Sequence, residues 1–172
     1  MIQPVFGIVG WKNSGKTTLM AGLVAALAKR GFRIATLKHA HHAFDIDREG
    51  TDSFRHRAAG AQEVAIVSEK RWAIMHELSN EAEPALADML ARLSPCDLVL
   101  IEGFKRESHP KLECRRLDAR DQRFLAADDP TVVAIAADHE TDSGALPSFD
   151  IDDTEAIADF VIRHTGIGAK AS

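Results

Sequence analysis

Short uninterrupted apolar runs alternate along this chain with stretches in which apolar residues recur every three or four positions. Pro4 to Val9, Asp97 to Ile101 and Thr131 to Ala137 are runs of the first kind, as expected of strands buried on both faces of a parallel sheet. Arg33 to Lys38, with Ile34, Ala35 and Leu37, predicts a further strand, and Lys111 to Leu117 another. Helical spacing begins at Thr18, where Leu19, Leu23 and Leu27 recur at i+4 beside Met20 and Val24 and Gly31 marks the stop. Pro84 suits the first turn of a helix reaching about Leu93, with Leu86, Leu90 and Leu93 on one face. Thr51 or Asp52 caps a short helix within Gly50 to Gly60, and Ala61 to Val67 and Trp72 to Met75 predict two short strands. Asp152 and Glu155 stand three apart, as in a capping box, ahead of a closing helix whose apolar face is Ile157, Phe160 and Val161. Strands and helices in this order predict a layered α/β fold, with a mostly parallel central sheet flanked by helices.

The length of 172 residues suits one domain, expected over residues 1–165 with a loose tail over 166–172. With 45% apolar and 27% charged residues, the composition excludes a disordered or fibrous chain. The net charge of -5 disfavours binding to bulk nucleic acid. The local cluster Arg115, Arg116, Arg120 and Arg123 reads as a solvated rim, with contact to a small anion as the alternative. No apolar run approaches the length of a membrane span and no signal-peptide pattern is present, so a cytoplasmic location is expected. Cys96 and Cys114 are far apart and read as small core residues, not as a disulfide or a thiolate zinc site.

The run Gly10-Trp11-Lys12-Asn13-Ser14-Gly15-Lys16-Thr17 fits the phosphate-loop pattern G-x-x-x-x-G-K-[ST], and it stands between a predicted strand and a predicted helix. In that setting the glycines let backbone N–H groups turn inward around phosphates, and the helix N-terminus adds its positive dipole end. Lys16 is placed to reach the terminal phosphates and Thr17 to ligate Mg²⁺. The pattern therefore predicts a nucleoside triphosphate site on a P-loop NTPase-like fold.

Such a site needs a second acid near the metal, at the end of a neighbouring apolar strand, and Glu102 has that place after Leu98 to Ile101. Its extra methylene relative to aspartate leaves two roles open, holding the metal through water or positioning an attacking water. The polar loop from Lys38 to Asp47 follows a strand and is expected at the ligand edge of the sheet. Within it, Asp45 and Asp47 read either as sensors of a terminal phosphate or as turn formers. His39, His41 and His42, with His56, invite a transition-metal reading, but H-x-H-H has no accompanying cysteine or H-E-x-x-H helix. Asp138 closes a late strand, where an aspartate can accept hydrogen bonds from guanine N1 and its 2-amino group. The usual Asn-Lys-x-Asp is replaced by Ala136-Ala137-Asp138-His139, which leaves the base open on this feature alone.

Taken together, the phosphate loop through Thr18, Leu37-Lys38-His39-Ala40-His41-His42 continuing to Phe44-Asp45-Ile46-Asp47, Gly50-Thr51-Asp52-Ser53 with Arg55-His56-Arg57, and Ile101-Glu102-Gly103-Phe104-Lys105 with Pro110-Lys111 resemble the MobB family. These are GTP-binding adapters of molybdopterin guanine dinucleotide synthesis. The resemblance runs from Val5 to about Asp153, and Leu146 to Asp150 is similar to the family's closing segment. It implies GTP and Mg²⁺ binding, slow GTP hydrolysis, a homodimer, and partnership with the MobA-type molybdenum cofactor guanylyltransferase, with molybdopterin itself as a further candidate ligand. Carried over by position, it implies phosphate contacts from Gly10, Lys12, Asn13, Ser14, Gly15, Lys16, Thr17 and Thr18, with Thr17 and Glu102 near the metal. Two other classes stay open: a GTPase metallochaperone for nickel or zinc, suggested by the histidines, and a small-molecule kinase, which would need an arginine lid from Arg115 to Arg123.

Overall fold

The computed structural model describes residues 3–40 and 44–168, and the chain divides into two compact units, 1–39 with 92–172, and 40–91. The first unit is a six-stranded sheet in the order β2-β5-β1-β6-β7-β8, with every neighbouring pair parallel. Its strands are β1 (Val5–Val9), β2 (Ile34–Lys38), β5 (Leu98–Glu102), β6 (Lys111–Arg115), β7 (Val132–Ala137) and β8 (Ser148–Asp150). Because β1 is central, flanked by β5 and β6, the loop that leaves its C-terminal end lies where a parallel α/β sheet binds ligands.

One face of the sheet supplies Phe6, Ile8, Leu98, Leu100, Leu112, Cys114, Ala134 and Ala136 to the core. Against it pack Leu19, Leu23 and Leu27 of α1 (Lys16–Lys29) and Ile157, Ala158 and Val161 of α4 (Thr154–Thr165). Each large side chain removed from water there contributes roughly 1.5–3 kcal/mol, which fixes α1, and so its N-terminus, against the ligand edge. On the other face Val9, Val132 and Ile135 pack with Leu125, Ala126 and Leu146. The first two partners belong to a single 3-10 turn, Leu125–Ala127.

Several boundaries differ from the sequence reading, each for a local reason. The helix α1 starts at Lys16, two residues before Thr18, because the phosphate loop runs into it without a separate cap: Gly15 holds the N-cap position in the left-handed region, φ 88°. The cap of α4 is Asp153, whose carboxylate accepts from the Ala156 N–H at 3.1 Å, while Asp152 pairs with Arg116. The strand β8, three residues flanked by polar turns, carries too little periodicity to be seen in sequence. Pro84 lies outside α3, which spans Leu86–Arg92. Cys114 is a buried core residue as expected, whereas Cys96 is only half-buried.

The second unit holds α2 (Asp52–Ala58) and an antiparallel hairpin of β3 (Glu63–Val67) and β4 (Trp72–His76). Thr51 is the N-cap of α2, though its hydroxyl donates back to the Arg48 carbonyl and not to the helix. Asp45 and Asp47 each accept from Arg57 at 2.7 Å, and Glu77 accepts from the same guanidinium at 3.2 Å. The geometry shows a role beside the two readings for these aspartates, three carboxylates gathered by one arginine.

Candidate nucleotide-binding site

The phosphate loop leaves β1 at Gly10 and curls through Asn13, which sits at φ 67°, a left-handed conformation that asparagine tolerates better than most residues. The Ser14 N–H donates to the Trp11 carbonyl at 3.2 Å and the Leu19 N–H to the Gly15 carbonyl at 3.0 Å, so the loop closes directly into the first turn of α1. Gly15 has no room for a side chain: a Cβ there would lie 2.6 Å from Arg116 Nε and 2.9 Å from Ile151 Cδ1. Position 15 is thus restricted both by its φ of 88° and by what packs against it.

Lys16 folds back onto its own loop, its ammonium donating to the Trp11 carbonyl at 2.6 Å. Partial burial lowers its pKa, an effect opposed by the charge of Glu102. The Cys114 thiol beside it is pushed up to about 12 by full burial and stays neutral, so the acid that balances Lys16 is Glu102. From the C-terminal end of β5, Glu102 accepts from the Thr17 hydroxyl at 3.1 Å and from Lys38 at 3.2 Å. Its residue surface is 8% exposed, so these partners and not bulk water surround it. A hydroxyl and a carboxylate oxygen in contact are the hard, sparse protein donor set that Mg²⁺ takes when phosphates and water supply the rest.

The loop after β6 is pinned to the same edge. Glu113, 1% exposed, accepts from the Leu125 and Ala126 N–H groups at 2.8 and 3.1 Å and from Arg115 at 2.9 Å. Arg115 also stacks on Phe124, its guanidinium carbon 3.8 Å from the ring centroid. The reading of Arg115 as a solvated rim residue is therefore corrected: it is 6% exposed and belongs to a buried polar network. This network places residues 119–124 against the phosphate loop, where the Arg120 N–H donates to the Lys12 carbonyl at 3.2 Å and the Trp11 indole N–H to the Arg123 carbonyl at 2.6 Å. Sequence patterning missed this, because Lys111, Glu113 and Arg115 alternate with apolar residues as on a half-exposed strand, yet all five β6 residues are buried.

Gly10, Lys12, Asn13, Ser14, Gly15, Lys16, Thr17 and Thr18 therefore share one loop and helix start, with Glu102 beside them. Asp138 stands at the end of β7, two strands from β1. Its carboxylate accepts from the Leu117 N–H at 3.2 Å and contacts His139 Nδ1 at 2.7 Å, and the histidine holds its pKa below the usual carboxylate range. His39 stacks on Phe104 with centroids 4.7 Å apart. His41 and His42 lie outside the described residues, and among those described no group of three or more His, Cys, Asp or Glu side chains is placed to hold a metal ion.

The family profile for "Molybdopterin guanine dinucleotide synthesis protein B", MobB, matches residues 5–138. The molybdopterin-guanine dinucleotide biosynthesis adapter protein of Escherichia coli K12 is 38% identical over 162 residues, covering 93% of this chain and 92% of that protein. The chain belongs to the MobB family. Its counterpart in Haemophilus influenzae is 39% identical over 163 residues, covering 92% of this chain and 87% of its own length. The crystal structure of Bacillus subtilis MobB superposes with a TM-score of 0.74 at 27% identity, covering 94% of this chain and 98% of that one. Its Bacillus stearothermophilus homologue gives 0.71 at 28% identity, covering 94% and 97%. These MobB relatives place the chain among adapter proteins of molybdopterin-guanine dinucleotide biosynthesis and favour that reading over a metallochaperone or a kinase. The parallel six-stranded sheet with flanking helices agrees with the P-loop NTPase-like fold expected from the sequence. Among the described residues no helix is long and apolar enough to cross a membrane.

Proposed function

We propose that this chain binds GTP with Mg²⁺ at the phosphate loop, hydrolyses it slowly, and in that state assists a MobA-type guanylyltransferase in attaching GMP to molybdopterin. The observation that carries this reading is the hydrogen bond between Thr17, next to Lys16 in the chain, and Glu102, an oxygen pair suited to a metal at the start of α1. Lys16 would leave the Trp11 carbonyl for the terminal phosphates, and the Gly15, Lys16, Thr17 and Thr18 N–H groups would line the polyphosphate. Mg²⁺, when bound, neutralises the charge that develops on the phosphate oxygens. Thr17 and Glu102 fit it, Glu102 directly or through water.

Slow turnover follows from what the arginines already do. Three of the four arginines after β6 are already paired, Arg115 with Glu113, Arg116 with Asp152 and Arg123 with Asp121, while Arg120 is exposed. An arginine finger is worth orders of magnitude in rate, and the engagement of Arg115, Arg116 and Arg123 suits an adapter for which binding matters more than hydrolysis. Guanine recognition is assigned to Asp138, which follows β7 at the same C-terminal edge of the sheet as the phosphate loop.

A homodimer and a cytoplasmic location belong to the same reading. The hairpin exposes Val67, Trp72 and Ile74 on one face, at 80%, 70% and 57%, and β3 and β4 pair only with each other among the described strands. Apolar surface beside open strand edges is what a second copy would cover.

The test is reconstitution of a molybdoenzyme from molybdopterin, GTP and a guanylyltransferase, with and without this chain, beside competition of GTP against ATP. Faster or fuller activation together with a preference for GTP is the expected result. No effect on activation, or equal competition by ATP, would overturn the assignment.

A further inference from the structure

The chain passes from Glu102 to Lys105 through two consecutive residues in the left-handed region, Gly103 at φ 93° and Phe104 at φ 48°. The glycine is required twice over, since a Cβ at position 103 would also lie 3.1 Å from His39 Cβ. Phe104 has no such freedom, and a bulky residue there holds a strained conformation that costs of order 1–3 kcal/mol. Two contacts hold it. The Phe104 ring stacks on His39, and the His39 N–H donates to the Glu102 carbonyl at 2.9 Å. The effect of this turn is to bring Lys105 back to the phosphate loop, where its ammonium lies 4.0 Å from the centroid of the Trp11 ring.

The surroundings of Lys105 point the same way. Among the described residues no carboxylate forms an ion pair with it. The acids that act on it from a distance are both engaged, Asp121 with Arg123 and Glu113 with Arg115 and two backbone N–H groups. Partial burial and the charge of Lys16 lower its pKa, so a second cation stands close enough to Lys16 to be repelled by it. Arg123 adds a third positive charge over the same indole, 4.8 Å from its centroid. Lys16 has Glu102 and Arg123 has Asp121, so Lys105 is the cation of this group left without a paired carboxylate and gains most from a polyanion placed beside it.

We propose that Lys105 is a second phosphate-binding lysine, parked on Trp11 and transferred to the γ-phosphate when a triphosphate enters, so that the site discriminates GTP from GDP. The inference rests on the nucleotide reading above and assigns a residue that this reading leaves without a role. A cation–π contact at a partly exposed ring is weaker than a charge-assisted hydrogen bond to phosphate, so the exchange runs toward the triphosphate. Trp11 loses the nearer of its two cations in the same step and reports it.

The experiment is fluorescence titration of the full chain in a Trp72→Phe background, which leaves Trp11 as the single tryptophan. GTP and GDP are compared, each with Mg²⁺, before and after Lys105→Ala and Lys105→Arg. GTP is expected to change Trp11 emission and GDP to leave it nearly unaltered. Lys105→Ala should weaken GTP by about tenfold or more while GDP affinity stays within about twofold, and Lys105→Arg should restore most of the difference. Unaltered GDP binding serves as the control that the variant is folded. Equal loss for GTP and GDP, or no loss for either, overturns the role of Lys105 while leaving the nucleotide site standing. Failure of the parent protein to bind GTP at all would remove the nucleotide reading and this inference with it.

Discussion

Thr17 and Glu102, 85 positions apart in the chain, share a hydrogen bond of 3.1 Å. The contact exists because β1 and β5 are neighbours in register, Ile8 beside Glu102, so the helix that starts after β1 and the acid that ends β5 arrive at one point. Glu102→Gln keeps the shape and the bond to Thr17 but removes the charge. Hydrolysis of GTP should fall about 10- to 100-fold while nucleotide affinity changes less than about threefold, because the acid is assigned to metal or water and not to the phosphates. Single-turnover hydrolysis beside a binding titration measures both, and equal losses would make Glu102 a structural residue.

Lys16→Ala should weaken GTP binding by about 100-fold or more with no change in thermal stability beyond about 1 kcal/mol. The side chain contributes two bonds within its own loop, to the Trp11 carbonyl and the Ser14 hydroxyl, and no core volume, so the fold does not depend on it. Fluorescent nucleotide titration with a circular dichroism melt is the check; a folded variant with parental affinity would refute the phosphate-loop assignment.

How far the sequence carried depends on the kind of signal each residue gives. The phosphate loop was legible because its chemistry needs fixed residue types at fixed spacing, and Glu102 because four apolar residues before it mark a central strand. The strand β6 was legible as the run Lys111 to Leu117, but its complete burial and the 119–126 loop were not. Lys111, Glu113 and Arg115 look like solvent-facing positions, and only the three-dimensional partners Asp129, Leu125, Ala126 and Phe124 make them interior. Trp11 occupies a variable position of the motif, so nothing in the pattern announced that Lys105 and Arg123 would meet on it. Asp152 and Asp153 are adjacent acids before one helix, and local spacing alone does not say which of them is turned toward the helix N–H groups and which toward Arg116.

The buried network on β6 makes a stability prediction. Glu113→Ala leaves the Arg115 guanidinium without its carboxylate and two backbone N–H groups without their acceptor, so unfolding free energy should fall by about 3–5 kcal/mol. The double variant Glu113→Leu with Arg115→Met removes both charges and should recover part of that loss, the two backbone N–H groups still lacking their acceptor. Urea denaturation of the parent and the two variants decides. A cost under 1 kcal/mol for the single change would mean that the network is not what holds the 119–126 loop.

His109 gives the chain a pH dependence with a definite sign. Both ring nitrogens are buried without a partner among the described residues, and the ring packs against Gly7, where a Cβ would lie 2.5 Å from Nε2. Burial, with Lys111 nearby, lowers its pKa to about 4 from an ordinary 6.5. At neutral pH the imidazole is uncharged in both folded and unfolded chains, so its full contribution to stability is present. As pH falls below 6.5 the unfolded chain takes up the proton first, and stability drains away until the folded form also protonates near pH 4. The loss between those limits should be on the order of 1–3 kcal/mol, since the ring is only partly enclosed. Denaturant unfolding measured from pH 7.5 to 4 should show this slope in the parent and lose it in His109→Gln, whatever that variant costs at pH 7.5. A slope that survives the substitution would assign the acid sensitivity to other groups.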